Sequence, residues 1–263
     1  AHYCPRAVHD ALAGRVALVT GASRGIGAAI ARRFGAEGAR VAIVARSLEP
    51  GSGGHLAGSL QETGAAITEA GGTALPIAAD LSDPACDRAA IVATVERDLG
   101  PVDILVNNAA ACFYLSIDET SERRLRVAYE VNVITPYLLT KAVVPGMRVR
   151  GAGWIVNITS AIVDPTDSPQ QARSSTYAPS KAALDRLTLS FASEFRGQGI
   201  AVNAVAPRAA VRTEGATAMM DLPDEMVEPM DTMVDAVLAL ATCDPERESG
   251  RVVRSISYLA ERG

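Results

Sequence analysis

The chain has 263 residues, which at ~150 residues per domain allows one large domain or two small ones. It is 48% apolar and 21% charged, the composition of a cored globular protein and not of a disordered chain. A net charge of −5 with no long run of one sign, and 4% aromatic residues, exclude a nucleic-acid or anionic-membrane surface and a base-stacking platform as its principal feature. No apolar run reaches the ~20 residues that cross a bilayer, so no membrane partner is expected. Ala1–Arg6 lacks the apolar centre of a secretory leader, so the expected location is the cytoplasm. Cys4, Cys86, Cys112 and Cys243 form no Cys-x-x-Cys pair, in keeping with that reducing compartment. His2, His9 and His55 have no second ligand at metal spacing, so neither a metal site nor a histidine-based triad is expected. Of 25 basic residues only Lys141 and Lys181 are lysines, which makes a well-placed lysine informative.

In chain order, the apolar run Val16–Thr20 predicts a first strand, and Ile26, Ile30 and Phe34 recur at helical spacing until Gly38. Val41–Val44 predicts a second buried strand. Ser47–Gly64, with Pro50, Gly51, Gly53, Gly54 and Gly58, reads as a long loop before a helix that Gly71-Gly72 closes. Ala74–Ala79 is a third strand, and Pro84 suits the first turn of a helix with Val92, Val95 and Leu99 on its buried face. Gly100-Pro101 precedes strand four, Ile104–Val106, and a long helix around Arg123–Val144 follows. Trp154–Ile158 is strand five, Ser174–Arg196 a helix, and Ala201–Ala206 strand six. A helix near Met230–Ala241 and a last strand at Val252–Val253 complete the pattern. Continuously apolar strands separated by helices specify a parallel sheet covered on both faces. The expected architecture is a single doubly wound α/β Rossmann domain over 14–263 with about seven strands, after an N-terminal extension over 1–13.

Thr20-Gly21-Ala22-Ser23-Arg24-Gly25-Ile26-Gly27 joins strand one to the first helix. Its glycines permit a tight turn and close backbone approach, and the helix start offers N–H donors to a phosphate. The spacing is Gly-x-x-x-Gly-x-Gly and not the commoner Gly-x-Gly-x-x-Gly, so the turn by itself is also compatible with a purely structural role. Strand two ends Val44-Ala45-Arg46-Ser47, with no acid before Glu49. An acid there would bind the ribose of NAD; an arginine pairs with a 2′-phosphate. Arg46, helped by Arg24, therefore predicts NADP in preference to NAD, unless both are simply solvated.

Tyr177 and Lys181 stand at i and i+4, one face of a helix start. With so few lysines, an accidental pair at this spacing is expected only ~0.05 times. A phenol of pKa ~10 needs to fall by about three pH units to work near neutrality, and an ammonium about 4 Å away at an effective dielectric of ~20 supplies that much. Tyr177 would then pass a proton to or from a carbonyl oxygen.

Thr20–Gly27, Asp80-Leu81, Asn107-Asn108-Ala109, Asn132, Ser160, Tyr177 with Lys181, and Asn203 with Pro207 together resemble the single-domain short-chain dehydrogenase/reductase family, from Gly14 to about Thr213. Leu56-Ala57-Gly58, Ala70–Pro76 and Pro207–Thr213 look most like its hydroxysteroid-dehydrogenase-like branch. The resemblance implies Tyr177 as acid/base, Lys181 on the nicotinamide ribose, Ser160 on the substrate oxygen and Asn132 in a proton relay. It implies that Gly21, Ser23, Arg24, Gly25, Ile26 and Gly27 hold the pyrophosphate. Arg46, Asp80 and Leu81 would face the adenosine end, and Asn107, Ala109, Pro207 and Thr213 the rest of the cleft. Alternative structural roles exist: a helix kink for Asn132, a strand cap for Ser160 with Thr159 as its rival, and a helix N-cap for Asp80. The family also implies a small carbonyl or secondary-alcohol substrate and a homo-oligomer, tetramer or dimer.

Three departures stand out. Asn-Asn-Ala-Gly is here Asn107-Asn108-Ala109-Ala110, Pro-Gly is Pro207-Arg208, and the end at Arg262-Gly263 lacks Asp-Gly-Gly. Ser160 to Tyr177 is also longer than usual, which predicts a larger loop at Asp164–Ser174 over the site. The expected activity is NADP(H)-dependent oxidoreduction of a carbonyl or alcohol. An isomerase or dehydratase on the same fold, or a sensor or scaffold without turnover, are the competing readings.

Overall fold

In the computed structural model seven strands form one parallel sheet, in the order β3 (Thr73–Ala78), β2 (Arg40–Ala45), β1 (Val16–Thr20), β4 (Ile104–Asn107), β5 (Gly153–Ile158), β6 (Ile200–Ala206) and β9 (Val252–Arg254). The structure describes residues 10–53, 56–208, 210–219, 223–224 and 227–262; His2, His9, His55 and Cys4 lie outside them. β1 (Val16–Thr20) leads through α1 (Gly25–Ala36) to β2 (Arg40–Ala45), and α2 (Leu60–Glu69) leads to β3 (Thr73–Ala78) at the edge. α3 (Arg88–Asp98) crosses back to β4 (Ile104–Asn107) on the other side of β1. The order reverses there, and the carboxyl ends of β1 and β4 diverge into the crevice that open α/β sheets use for ligands.

Beyond β4 run α4 (Glu122–Tyr129), a π-helical turn (Glu130–Ile134) and α5 (Thr135–Arg150), then β5 (Gly153–Ile158). A short 3-10 turn (Ala161–Val163) and α6 (Pro169–Ala172) precede α7 (Tyr177–Glu194) and β6 (Ile200–Ala206). A two-stranded ladder pairs β7 (Ala210–Val211) with β8 (Val227–Glu228) around α8 (Glu214–Met219), and α9 (Met230–Leu240), β9 (Val252–Arg254) and α10 (Ser255–Arg262) end the fold.

Alternate residues of β1 supply two separate cores. Ala17 and Val19 pack with Ile30 and Phe34 of α1 and with Met233 and Val237 of α9. Val16 and Leu18 pack with Val95 of α3, Val143 of α5 and Phe191 of α7. β1, β4 and β6 are buried throughout, as their unbroken apolar sequences require. β3 departs from that pattern: it is half-exposed and carries Pro76, which an edge strand tolerates because one side of its ladder is unused. Leu12, placed by sequence in the N-terminal extension, is fully buried in the first core.

The loop after β2 is shorter than expected. Ser59 caps α2, its hydroxyl accepting from Glu62 N (3.1 Å) and donating to Glu62 Oε2 (2.8 Å). Pro84 does not open α3: Asp87 caps it, accepting from Ala89 and Ala90 N, and the helix begins at Arg88.

Candidate functional site

The carboxyl ends of β1, β2, β4, β5 and β6 bring the predicted residues to one edge of the sheet. At β1, Thr20 Oγ1 accepts from Asn108 N (3.0 Å) and Ala109 N (3.1 Å), and Asn108 Nδ2 donates to Thr20 O (2.9 Å) and Gly21 O (3.2 Å). The glycine-rich turn is thus folded around an amide side chain. A Cβ on Gly27 would collide with Asn108 Nδ2 and Gly21 O, and one on Gly21, at φ +67, would lie 2.8 Å from Ala109 Cα. Asn108, quoted in the Asn107-Asn108-Ala109 motif but assigned no role from the sequence, is thus the residue that shapes the turn.

α1 begins without a side-chain cap and without an acid in its first turn, which leaves its first N–H groups facing the crevice for an anion. Gly25, at φ +55, lies against Thr213, whose side chain a Cβ would meet at 3.2 Å, so the two ends of the predicted cofactor set do come together. Ser23 is buried and Ile26 half-buried beside them. An open cleft of about 840 Å³ lies here, lined by Ser23, Arg24, Gly25, Ala57, Gly58 and Thr213.

Arg24 is not a free cation. Its guanidinium donates to Ala57 O (2.7 Å), Gly58 O (3.1 Å) and Ser47 Oγ (3.1 Å), pinning the loop after β2 to the turn. Arg46 is exposed at the end of β2. Asp80 accepts from Ser82 N (3.0 Å) and Oγ (2.6 Å). Burial opposes its charge, but those hydrogen bonds, with Arg46 and Arg88 nearby, hold the carboxyl below its ordinary range. Asp80 therefore closes a local turn and is not the helix cap. Leu81 belongs to the core between the sheet, α3, α5 and α7, and Ala109 packs against that core.

Asn107 Nδ2 donates to Asn157 Oδ1 (2.8 Å), and Asn157 Nδ2 to Thr188 Oγ1 (2.8 Å). Asn107 Oδ1 is buried with no hydrogen-bond partner among the described residues. Such an atom costs about 1–3 kcal/mol unless something donates to it. An uncapped helix start, a cradle that side chains would fill and this orphaned acceptor are together the features that a dinucleotide requires, and the residues present fit one.

The proton-transfer candidates converge beside it. Tyr177 is the first residue of α7, with Lys181 one turn on and buried. The Ser160 side chain lies beside the Tyr177 phenol, whereas Thr159 is buried with Asp185 as its polar neighbour, an arrangement that favours Ser160 of the two rivals. Ser160 Oγ also caps the 3-10 turn, accepting from Ile162 N (3.3 Å). Asn132 sits in the π turn. Its Oδ1 accepts from Ala111 N (2.8 Å), and its Nδ2 donates to Ala111 O and Ser180 Oγ (2.9 Å each), while Ser180 Oγ donates to Tyr177 O (2.7 Å). Asn132 thus stands in an irregular turn of the helix and beside the candidate site at once. Tyr114 packs edge-on to Tyr177 at 6.0 Å, and the Cys112 thiol lies close to Tyr114, Tyr177 and Lys181, pushed up to about 12 by burial.

One expectation is corrected. Lys181 Nζ donates to Ile158 O (2.6 Å) and lies 5.9 Å from the Tyr177 ring centre, and with the lysine so placed the phenol is shifted up and not down. Burial dominates both groups: it pushes Tyr177 up and pulls Lys181 down to about 8.

Pro207 is half-buried and Arg208 exposed. Arg208 N donates to Glu228 Oε2 (2.8 Å), and Ser255 Oγ to Glu228 Oε1 (2.5 Å), which fixes this turn at the end of β6. Asn203 ties β6 to the C-terminal segment, donating to Glu248 O (2.8 Å) and accepting from Arg251 N (2.9 Å). The longer loop before α7 is held by Asp164 with Arg254 (2.5 Å) and by Arg173 with Glu119 (2.7 Å).

Comparison with known proteins agrees with this geometry. The short chain dehydrogenase family model matches residues 15–221. Hydroxysteroid dehydrogenase-like protein 2 of Mus musculus is 33% identical over 258 residues, 96% of this chain and 50% of that protein. An oxidoreductase of Thermotoga maritima is 38% identical over 224 residues, 84% of this chain and 82% of that protein. The chain thus spans about half the length of the first of these curated relatives. Among solved structures, a metagenomic short-chain oxidoreductase in complex with NADP is 34% identical with a TM-score of 0.75, covering 93% of this chain and 98% of that one. A 3-oxoacyl (acyl-carrier-protein) reductase of Agrobacterium tumefaciens with NADP bound is 30% identical with a TM-score of 0.77, covering 92% and 93%. The chain belongs to the short-chain dehydrogenase/reductase family, in its hydroxysteroid-dehydrogenase-like branch.

Proposed function

We propose that the protein is an NADP(H)-dependent oxidoreductase of a small carbonyl or secondary alcohol, carried on one catalytic domain that includes Leu12. The observation that carries the reading is the convergence of Ser160, Tyr177, Lys181 and Asn132 at the carboxyl ends of β4 and β5. Gly21 to Gly27 with Thr213 would hold the pyrophosphate, Arg46 a 2′-phosphate, and Asp80 with the Leu81 turn the adenine end. When bound, the nicotinamide supplies or accepts the hydride. Asn107, Ala109 and Pro207 would line its place, and Lys181 would hold its ribose. Tyr177 gives its proton to the carbonyl oxygen as the carbon is reduced, and takes one from the hydroxyl in the reverse direction. Ser160 donates to that oxygen and fixes its direction. Asn132, through Ser180, holds the start of α7 in place behind the phenol.

Arg46 with no acid beside it supports NADP over NAD, as do solved relatives that carry NADP. One or two charge-assisted contacts are worth about 1.5–3 kcal/mol each, so NADPH should bind at least ~10-fold tighter than NADH. Equal affinities in a fluorescence titration would remove Arg46 from the reading. Tyr177→Phe should cut turnover by about 100-fold, the scale of a lost general acid, with NADPH affinity nearly unchanged. A panel of carbonyls and alcohols followed by nicotinamide absorbance supplies the substrate for that comparison. Retention of most activity by Tyr177→Phe would refute the proton-transfer assignment.

A further inference from the structure

Arg88, the first residue of α3, is 2% exposed and lies outside every element so far given a chemical role. Its guanidinium donates to Leu81 O (2.9 Å), Asp83 O (2.9 Å), Cys86 O (2.5 Å), Glu130 Oε1 (2.7 Å) and Thr135 Oγ1 (3.1 Å). Five acceptors surround one buried charge. Three belong to the turn that follows β3; the other two bracket the π turn, Glu130 being its first residue and Thr135 following its last. Thr135 Oγ1 in turn donates to the same Leu81 carbonyl (3.2 Å).

A buried ion pair is weak evidence for stability, because apolar residues of similar volume often serve as well or better. A π turn is rare and is frequently found at functional sites. Here no side chain caps it, and its geometry is braced from outside by Arg88. Inside the turn, Asn132 is held by Ala111 and Ser180, and Ser180 bonds Tyr177 O. A continuous hydrogen-bonded path therefore runs from Leu81 through Arg88, Glu130 and Thr135 to the turn of Asn132, and on to the head of α7.

We propose that Arg88 is a positioning residue that locks the Asp80–Leu81 turn and the π turn of Asn132 into one unit, so that the adenine end and the proton-transfer end of the cleft are set together. This rests on the dinucleotide reading above. A lysine keeps the charge for Glu130 but lacks the planar fork that reaches both segments. Arg88→Lys, at a temperature where circular dichroism matches the parent protein, should weaken NADPH binding and lower kcat, each by about 5-fold or more, the lower end of coupling between sites. The decisive reading is a double-mutant cycle. If Arg88 acts on turnover through Asn132, adding Arg88→Lys to Asn132→Ala lowers kcat no further, while the loss of NADPH affinity persists. Multiplying kcat losses overturn the proposal.

Hydrogen exchange supplies an arm that needs no turnover. Arg88→Lys, and the milder Thr135→Val, should release residues 80–86 and 130–135 together. Release of one segment alone overturns the coupling. Failure of the parent protein to bind NADPH would instead strike the functional reading, and the exchange experiment would still decide whether Arg88 couples the two turns.

Discussion

Lys181 is buried with its ammonium on the Ile158 carbonyl, and burial brings it down to about 8 although Cys112 and Asp185 pull the other way. The Tyr177 phenol is pushed up by the same burial, with Cys112 and Tyr114 beside it. Near neutral pH the phenol therefore holds its proton and the lysine most of its charge, the pairing that carbonyl reduction needs. As pH rises through about 8 the lysine loses its charge before the phenol ionises. The reductive kcat/KM should fall above that pH, and Lys181→Arg, always charged, should lack this limb in whatever activity it keeps. Stability moves in the opposite sense. Between about 8 and the ordinary lysine value of ~10.4 the unfolded chain holds more of this proton, so this residue adds stability as pH rises. A flat kcat/KM from pH 7 to 10 would dissociate Lys181 from turnover. Arg208 calls for a different comparison. Its backbone is anchored by Glu228 while its side chain is exposed. Arg208→Gly should leave the fold intact and raise KM for a keto acid but not for its neutral ester. Equal changes for both would place the side chain outside the substrate site.

At the scale of elements, patterns of period and punctuation were legible where a strand or helix had to bury itself, and illegible where a side chain decided a boundary. The runs Val16–Thr20, Ile104–Val106 and Ala201–Ala206 could only be buried strands, and the residues of the site follow from their carboxyl ends. The cap on α2 is hidden by its neighbours: five glycines and Pro50 argue for a loop, yet Ser59 and Glu62 exchange hydrogen bonds and start a helix among them. Ser59→Ala removes both bonds and should cost about 1 kcal/mol in chemical denaturation, with Arg24 still pinning the preceding loop; an unchanged midpoint would mean that the cap is idle. The π turn was illegible for a different reason. Glu122 to Arg150 carries one helical period, and the side chain that grips both ends of the π turn, Arg88, lies more than forty residues earlier in sequence. α10 is hidden from the sequence because Ser255–Arg262 is short and gains its stability from Tyr258 and Leu259 in the core, not from propensity. The electrostatics of Tyr177 and Lys181 were misread because spacing along a helix says nothing about how deeply two groups are buried.

At the scale of the whole molecule, the helices that carry the site also present an unpartnered apolar face. Leu125 on α4, Ile134 in the π turn, Tyr137 on α5 and Leu189 on α7 are all at least 38% exposed, although α4, the π turn and α7 pack together and Tyr137 touches Phe191 of α7. Single exposed apolar residues are ordinary; four on adjoining helices form a patch. The homo-oligomer that the resemblance implies would cover it with a second copy of this chain, a proposal that the mass in solution tests. A two-fold pairing would set the same residues against themselves. That pairing would stiffen the helices bearing Asn132, Tyr177 and Lys181 without adding a residue to the site. Light scattering should then give twice or four times the mass of the chain at micromolar concentration. Leu189→Glu, together with Tyr137→Glu, places buried charge on both sides of the two-fold and should return the monomer. Since neither residue lies in the cleft, NADPH affinity in that monomer should fall only as far as the helices loosen, by less than the ~10-fold that separates NADPH from NADH. A monomeric parent protein at these concentrations would end the proposal, and a double variant that remains oligomeric would move the interface to another face.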